Sequence, residues 1–211
     1  MSFSFQELVD QVIEIWMAGG SLMIPLAILG LMIYLVLGEL FLHLLANSYF
    51  KLDPNEYGHW VDRPDEAKGK VGEVIRYSQE GCQSAADVRL RVAEIRQASI
   101  PPIQRRLVFA TMLINAAPLT GLLGTVMGML STFLGLSVSS GAGNTIDMVA
   151  GGISEALITT QTGLVFAIPG YVLVSYIKKQ LAELDHFFTQ LEILTAIKFE
   201  RRNREKSQPA A

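Results

Sequence analysis

Long stretches of this 211-residue chain carry no positive charge. The first 45 residues contain no Lys or Arg, and neither does the whole of 107–177. There is one cysteine, Cys82, so no internal disulfide forms, and an ordinary small side chain in a reducing compartment is the simplest account of it. No zinc-ligand spacing, phosphate-binding loop or nucleophile motif occurs, and His59 and Trp60 have no ligand spacing with anything nearby. The sequence therefore predicts no enzyme, no cofactor and no metal. A cleavable leader is not evident either. The residues before the first apolar block are acidic, and that block is too long for a cleaved apolar region, so it reads as an anchor that is kept.

What the chain does have is apolar residues, half of the total, gathered into three blocks: Leu22–Leu45, Leu107–Val138 and Met148–Ile177. Each is at least as long as the roughly 20 residues that cross about 30 Å of hydrocarbon. A soluble fold would disperse the same residues at helix or strand periods. All 17 Lys and Arg lie between the first and second blocks or after the third. The positive-inside rule then predicts three crossings, with the N-terminus outside and the C-terminus inside. Nucleic-acid binding is disfavoured, because acids are interspersed through both basic segments.

Taken in order, residues 1–20 hold a short amphipathic helix, with Phe5, Leu8, Val9, Val12 and Trp16 on one side. Such a helix lies at the outer interface, and Gly19, Gly20 and Ser21 break it. The first crossing, 21–45, has Pro25 near its outer end and Glu39 and His43 near its inner end, where water or Lys51 solvates Glu39. An inside helical segment, 46–105, follows. Asp65–Gln79 and Ala85–Ile100 read as helices there, the second capped by Ser84 and striped by Val88, Val92, Ile95 and Ser99. Pro101–Pro102 suit the first turn of the next helix or a kink before it.

The second crossing, 106–138, carries two stripes. Ala117, Gly121, Gly124, Gly128, Ser131 and Gly135 recur every three or four residues, which lets helix backbones approach closely in lipid. Thr111, Pro118, Thr125 and Thr132 recur every seven, roughly on another face. A short outer loop, 139–147, leads to the third crossing, 148–177. Its Glu155, Thr159 and Thr162 share a face, with Thr160 offset and Gln161 adjacent. Polar groups in hydrocarbon cost kilocalories each, so these side chains are expected to face protein or a water path. The competing account is that each Thr bonds its own helix one turn back. Gly163, Pro169 and Gly170 soften the inner half. Leu181, Leu184, Phe188, Leu191 and Thr195 then continue an apolar seam within 178–211, which implies neighbouring copies, and Arg201–Ala211 reads as a disordered tail.

Two motifs resemble a known family. The run from Ala117-Pro118 through Gly121, Gly124, Thr125 and Gly128 is similar to the second-span signature of ExbB/TolQ/MotA proton channels. The run from Gly152 through Glu155, Ala156, Thr160, Gly163 and Ala167 to Pro169 is similar to their third-span signature. Three crossings with a short outer tail match ExbB and TolQ, whereas MotA-type proteins have a fourth. The resemblance implies an all-α membrane protein with long cytoplasmic helical extensions, assembled as a homopentameric ring in a bacterial inner membrane. The N-terminus would be periplasmic and the C-terminus cytoplasmic. It implies a pore holding a dimer of an ExbD/TolR-like single-span protein whose Asp takes up protons, with a TonB- or TolA-like protein receiving the work. It places Thr125 and Thr160 at the family's pore-facing threonines and Glu155 at its membrane glutamate. Thr132, Thr159 and Gln161 would join the pathway, and Gly121, Gly124, Gly128, Pro118 and Pro169 the helix packing. Thr159, Gln161 and Thr162 depart from the more apolar residues of the best-known members, which leaves H⁺ and Na⁺ both open. The alternative to an ion-driven motor is a non-conducting oligomeric scaffold that stabilises a partner.

Overall fold

A computed structural model describes residues 5–46, 58–61, 63–66, 69–138 and 142–207. Among these residues the regular elements are helical: α1 (Phe5–Ala18), α2 (Met23–Ala46), a 3-10 turn (Pro64–Glu66), α3 (Gly69–Gln79), α4 (Ala85–Val138) and α5 (Ala142–Ser207). Three of them, α2, α4 and α5, are long and apolar enough to cross a membrane. The chain forms two compact units. The first comprises residues up to Leu37 with Phe109–Val174, and the second Gly38–Val108 with the residues from Ser175 onward.

In the first unit α1 ends at Ala18, and Gly20, at φ 67°, turns the chain into α2. That backbone conformation suits glycine. Val12, Ile13, Ile15, Trp16 and Met17 of α1 are exposed. Helix α2 buries Leu26, Ile33 and Leu37. It runs parallel to α5: Gly19 meets Ile158, Gly30 meets the Phe166 ring, and Ile33 meets Gly170. The Tyr34 hydroxyl donates to the Phe166 carbonyl at 3.3 Å. Helices α4 and α5 form an antiparallel hairpin whose seam is built below.

The second unit has its own core, made of Ile75, Val88, Val92, Ile100 and Ile103 together with Ile177, Leu184, Phe187, Phe188 and Leu191. Its polar groups pair by charge. Arg96 bridges Asp185 at 2.6 Å, and Lys198 Nζ donates to the Val61 carbonyl at 2.6 Å and to Gln79 Oε1 at 3.2 Å. Ser84 caps α4 as expected. Its hydroxyl accepts the Asp87 N–H at 3.2 Å, while Asp87 accepts the Ser84 N–H at 2.9 Å and the Gln83 N–H at 3.0 Å, a reciprocal capping box. Those N–H donors hold the Asp87 carboxyl below its ordinary pKa. Partial burial pushes the Cys82 thiol pKa up.

Four expectations need correction. First, Pro101–Pro102 do not start a helix; α4 begins at Ala85 and runs on through them for 54 residues. Ile100, Ile103 and Leu107 are buried on either side of them in the second unit, so tertiary packing overrides the missing donors. Second, the outer loop is shorter than 139–147, because α5 begins at Ala142 and contains Asp147. Asn, Thr and Asp read as loop formers, but the same residue types favour the first turns of a helix. Third, α5 extends to Ser207, since its Arg, Glu and Lys are good helix formers; 208–211 lie outside the described residues. Fourth, the seam Leu181, Leu184, Phe188, Leu191 and Thr195 is buried within its own unit and needs no second copy to cover it. Glu39 is exposed, in keeping with the expected solvation, and also pairs with Arg106. Lys51, named beside water as a source of that solvation, lies outside the described residues, as do 139–141.

Candidate ion-pathway site

The α4–α5 seam is built from residues too small to hold the backbones apart. A Cβ on Gly121 would lie 2.9 Å from the Thr159 carbonyl oxygen, and one on Gly128 2.9 Å from the Gly152 carbonyl oxygen. A Cβ on Gly163 would lie 2.6 Å from the Ala117 carbonyl oxygen. Gly124 is filled by the Thr159 side chain, and Gly152 by that of Thr132. The register therefore steps through Ala117–Gly163, Gly121–Thr160, Gly124–Thr159, Gly128–Ala156 and Thr132–Gly152, with Gly135 against Met148. Small residues in lipid are expected to work in this way.

Two expected seam members fall elsewhere. Ser131 is exposed, and Thr132 takes the place assigned to it. Seven residues fall short of two whole turns, so a heptad stripe drifts about 20° per repeat. Thr111, Pro118 and Thr125 are half-buried on the flank of α4, and by Thr132 the drift has carried the stripe into the seam, where it is 3% exposed. Pro169 is exposed on α5, which continues through it.

The hydroxyls are spoken for within the hairpin. Thr120, Thr125, Thr132, Thr159 and Thr162 each donate to a carbonyl of their own helix three or four residues back, at 2.7–2.9 Å. Thr160 alone among these reaches across, donating to the Gly121 carbonyl at 3.0 Å. A threonine donor bonded to a backbone carbonyl still has oxygen lone pairs with which to accept. Thr159 is 1% exposed inside the seam, while Thr125 and Thr160 are half-buried at its edge and Gln161 is exposed.

Glu155 goes to a different side. Its carboxylate lies against Gly20, so closely that any Cβ there would overlap Oε1. The structure thus brings Thr125 and Thr160 to the α4–α5 hairpin and separates Glu155 from them, on the flank of α5 that meets the α1–α2 turn. Sequence reasoning read Gly20 only as a helix breaker. The adjacent glycines were the available signal, but nothing in the sequence paired them with residue 155. Among the described residues no cluster of His, Cys, Asp and Glu could hold a metal.

The chain is 39% identical over 82 residues to a putative biopolymer transport protein ExbB-like 3 of Synechocystis, covering 39% of each chain. It is 43% identical over 70 residues to the Tol-Pal system protein TolQ of Haemophilus influenzae, covering 33% of this chain and 30% of that one. It is 30% identical over 132 residues to a biopolymer transport protein ExbB of Xanthomonas campestris, covering 63% of this chain and 49% of that one. The chain thus spans at most about half the length of these relatives. The family model matches residues 69–190, more than half of the chain, and with them most of α4 and α5. The chain belongs to the MotA/TolQ/ExbB proton channel family.

Proposed function

We propose that this protein is the ring-forming subunit of an ion-driven motor in a bacterial inner membrane. Five copies surround a pore lined by the apolar parts of α4 and α5, with the N-terminus periplasmic and the C-terminus cytoplasmic. Two copies of an ExbD/TolR-like single-span protein occupy the pore. Ion flow past their acidic side chain moves them against the ring, and a TonB- or TolA-like protein carries the work toward outer-membrane transport or envelope maintenance. One observation carries this reading. A hairpin with no Lys or Arg between 107 and 177 holds Thr125 and Thr160 at the edge of a close-packed seam, in a chain of the proton channel family.

The physical logic is one of weak stations. Neutral hydroxyls accept a hydrogen bond from a protonated carboxyl and release it again, which a fixed ammonium or guanidinium would not. A membrane potential supplies about 2.3 kcal/mol per charge per 100 mV. Thr159 and Thr132 hold the two helices in register beneath those stations. Glu155 would set the field near the entrance, seated on Gly20. Replacement of Thr125 by Val, or of Glu155 by Ala, is expected to leave assembly intact and abolish energy-dependent uptake or envelope function. Normal function in either variant would overturn the motor reading.

The scaffold alternative is favoured by one specific finding, the saturation of most hydroxyl donors within the hairpin. A scaffold would tolerate Thr125→Val and would pass no ions in vesicles.

A further inference from the structure

The same hairpin carries a second polar level that the threonines do not account for. The Tyr171 hydroxyl donates a hydrogen bond to Asn115 Oδ1 across α4 and α5. Both side chains are exposed, Tyr171 by 46%, within apolar segments free of Lys and Arg. The bond uses the tyrosine donor and one acceptor of the amide. It leaves the pair's two amide N–H groups and the phenol lone pairs to be met from outside it. Hydrocarbon meets neither, so this surface is costly against lipid.

The level is set by the register. Thr160 and Tyr171 are eleven residues apart, close to three full turns, and so share a flank of α5. Asn115 precedes Thr125 by ten residues, about 15 Å along α4. Across the seam Thr160 bonds the Gly121 carbonyl, while Gly170 abuts Ile114. The hairpin therefore presents two polar levels about 15 Å apart on one flank, with exposed Leu122 and Leu164 between them. The second level lies toward Arg106 and Lys178 in the sequence, the side that the charge bias assigns to the cytoplasm.

We propose that Asn115 and Tyr171 form a second station on the ion route, where a water-borne proton or hydrated monovalent cation passes between the Thr125 level and cytoplasmic water. The proposal rests on the reading of this flank as the route. The polar pair is open to inner water and is neither sealed against lipid nor packed against another copy.

The test uses inverted vesicles from cells making the chain with its native partners, in a Cys82→Ser background. A charged, water-soluble methanethiosulfonate is added to the cytoplasmic face. Asn115→Cys and Tyr171→Cys are expected to react at least tenfold faster than Val172→Cys, an exposed position on another side of α5. Equal, slow labelling at all three overturns the proposal. Ion flux through the combined Asn115→Leu and Tyr171→Phe variant is expected to fall at least tenfold, with Asn115→Ser retaining more than Asn115→Leu. Unchanged flux also overturns it. If the combined variant fails to assemble with its partner, the labelling rates alone decide. Thr125→Val separates the two claims. If that variant loses flux while the pair variant keeps it, only the second station falls; if it keeps flux, the route itself falls.

Discussion

The two units of this protein solve one problem with opposite chemistry. All 17 Lys and Arg belong to the second, and none to the first. The second joins its helices with Arg96–Asp185, Glu39–Arg106 and Lys198 on the Val61 carbonyl, around a core centred on Phe187 and Phe188. The first joins its helices with glycines, a threonine-to-backbone hydrogen bond and one carboxylate seated on a glycine turn. Solvated charge is cheap where water screens it and expensive in hydrocarbon. The difference teaches that the first unit joins its helices through hydroxyls, an amide and a carboxylate, with no Lys or Arg to pair them.

Substitutions can break that comparison. The largest effect is expected in the second unit, whose stability is that of an ordinary packed core. Phe188 is fully buried, and Phe188→Ala should cost about 3–5 kcal/mol, read by denaturant unfolding in detergent. The first unit should be sensitive to the opposite change. Gly163→Ala pushes a methyl onto the Ala117 backbone, which cannot step aside, and should cost about 1–3 kcal/mol in the same assay. Equal tolerance of alanine at Gly163 and at exposed Gly151 would mean that the seam does not depend on close approach.

Smaller effects sharpen the contrast in charge. The folded pKa of Asp87 is depressed by the Gln83 and Ser84 N–H groups, so its contribution is present above the unfolded carboxyl pKa, near 4. That contribution is lost as pH falls through the lower folded value. Asp87→Asn should therefore flatten the acid limb of the stability profile below about pH 4 and leave its shape at pH 7 and above unchanged. Least of all, Arg96→Ala removes a half-exposed ion pair and should cost under about 1 kcal/mol. That cost should shrink further in 1 M salt, whereas the cost of Gly163→Ala should not respond to salt.

Much of this was legible from pattern. The three apolar blocks, the Ser84 cap and the close approach at Gly121, Gly124 and Gly128 follow from composition and period. What escaped the sequence depends on geometry accumulated over distance. A drift of about 20° per heptad moved Thr132 from the flank into the seam, and buried residues on either side carried α4 on through Pro101–Pro102. The partners of Glu39 and Glu155 were illegible for another reason. Arg106 and Gly20 are remote in sequence, and only the folded register of the helices selects them from several equivalent candidates.

The most direct measurement is ion flux, driven by an imposed membrane potential, into proteoliposomes holding this chain with its single-span partner, compared between wild type and Thr125→Val combined with Thr160→Val. The account predicts robust wild-type flux and a loss of at least tenfold in the double variant with the complex still assembled. Flux at the wild-type rate through that double variant would contradict it.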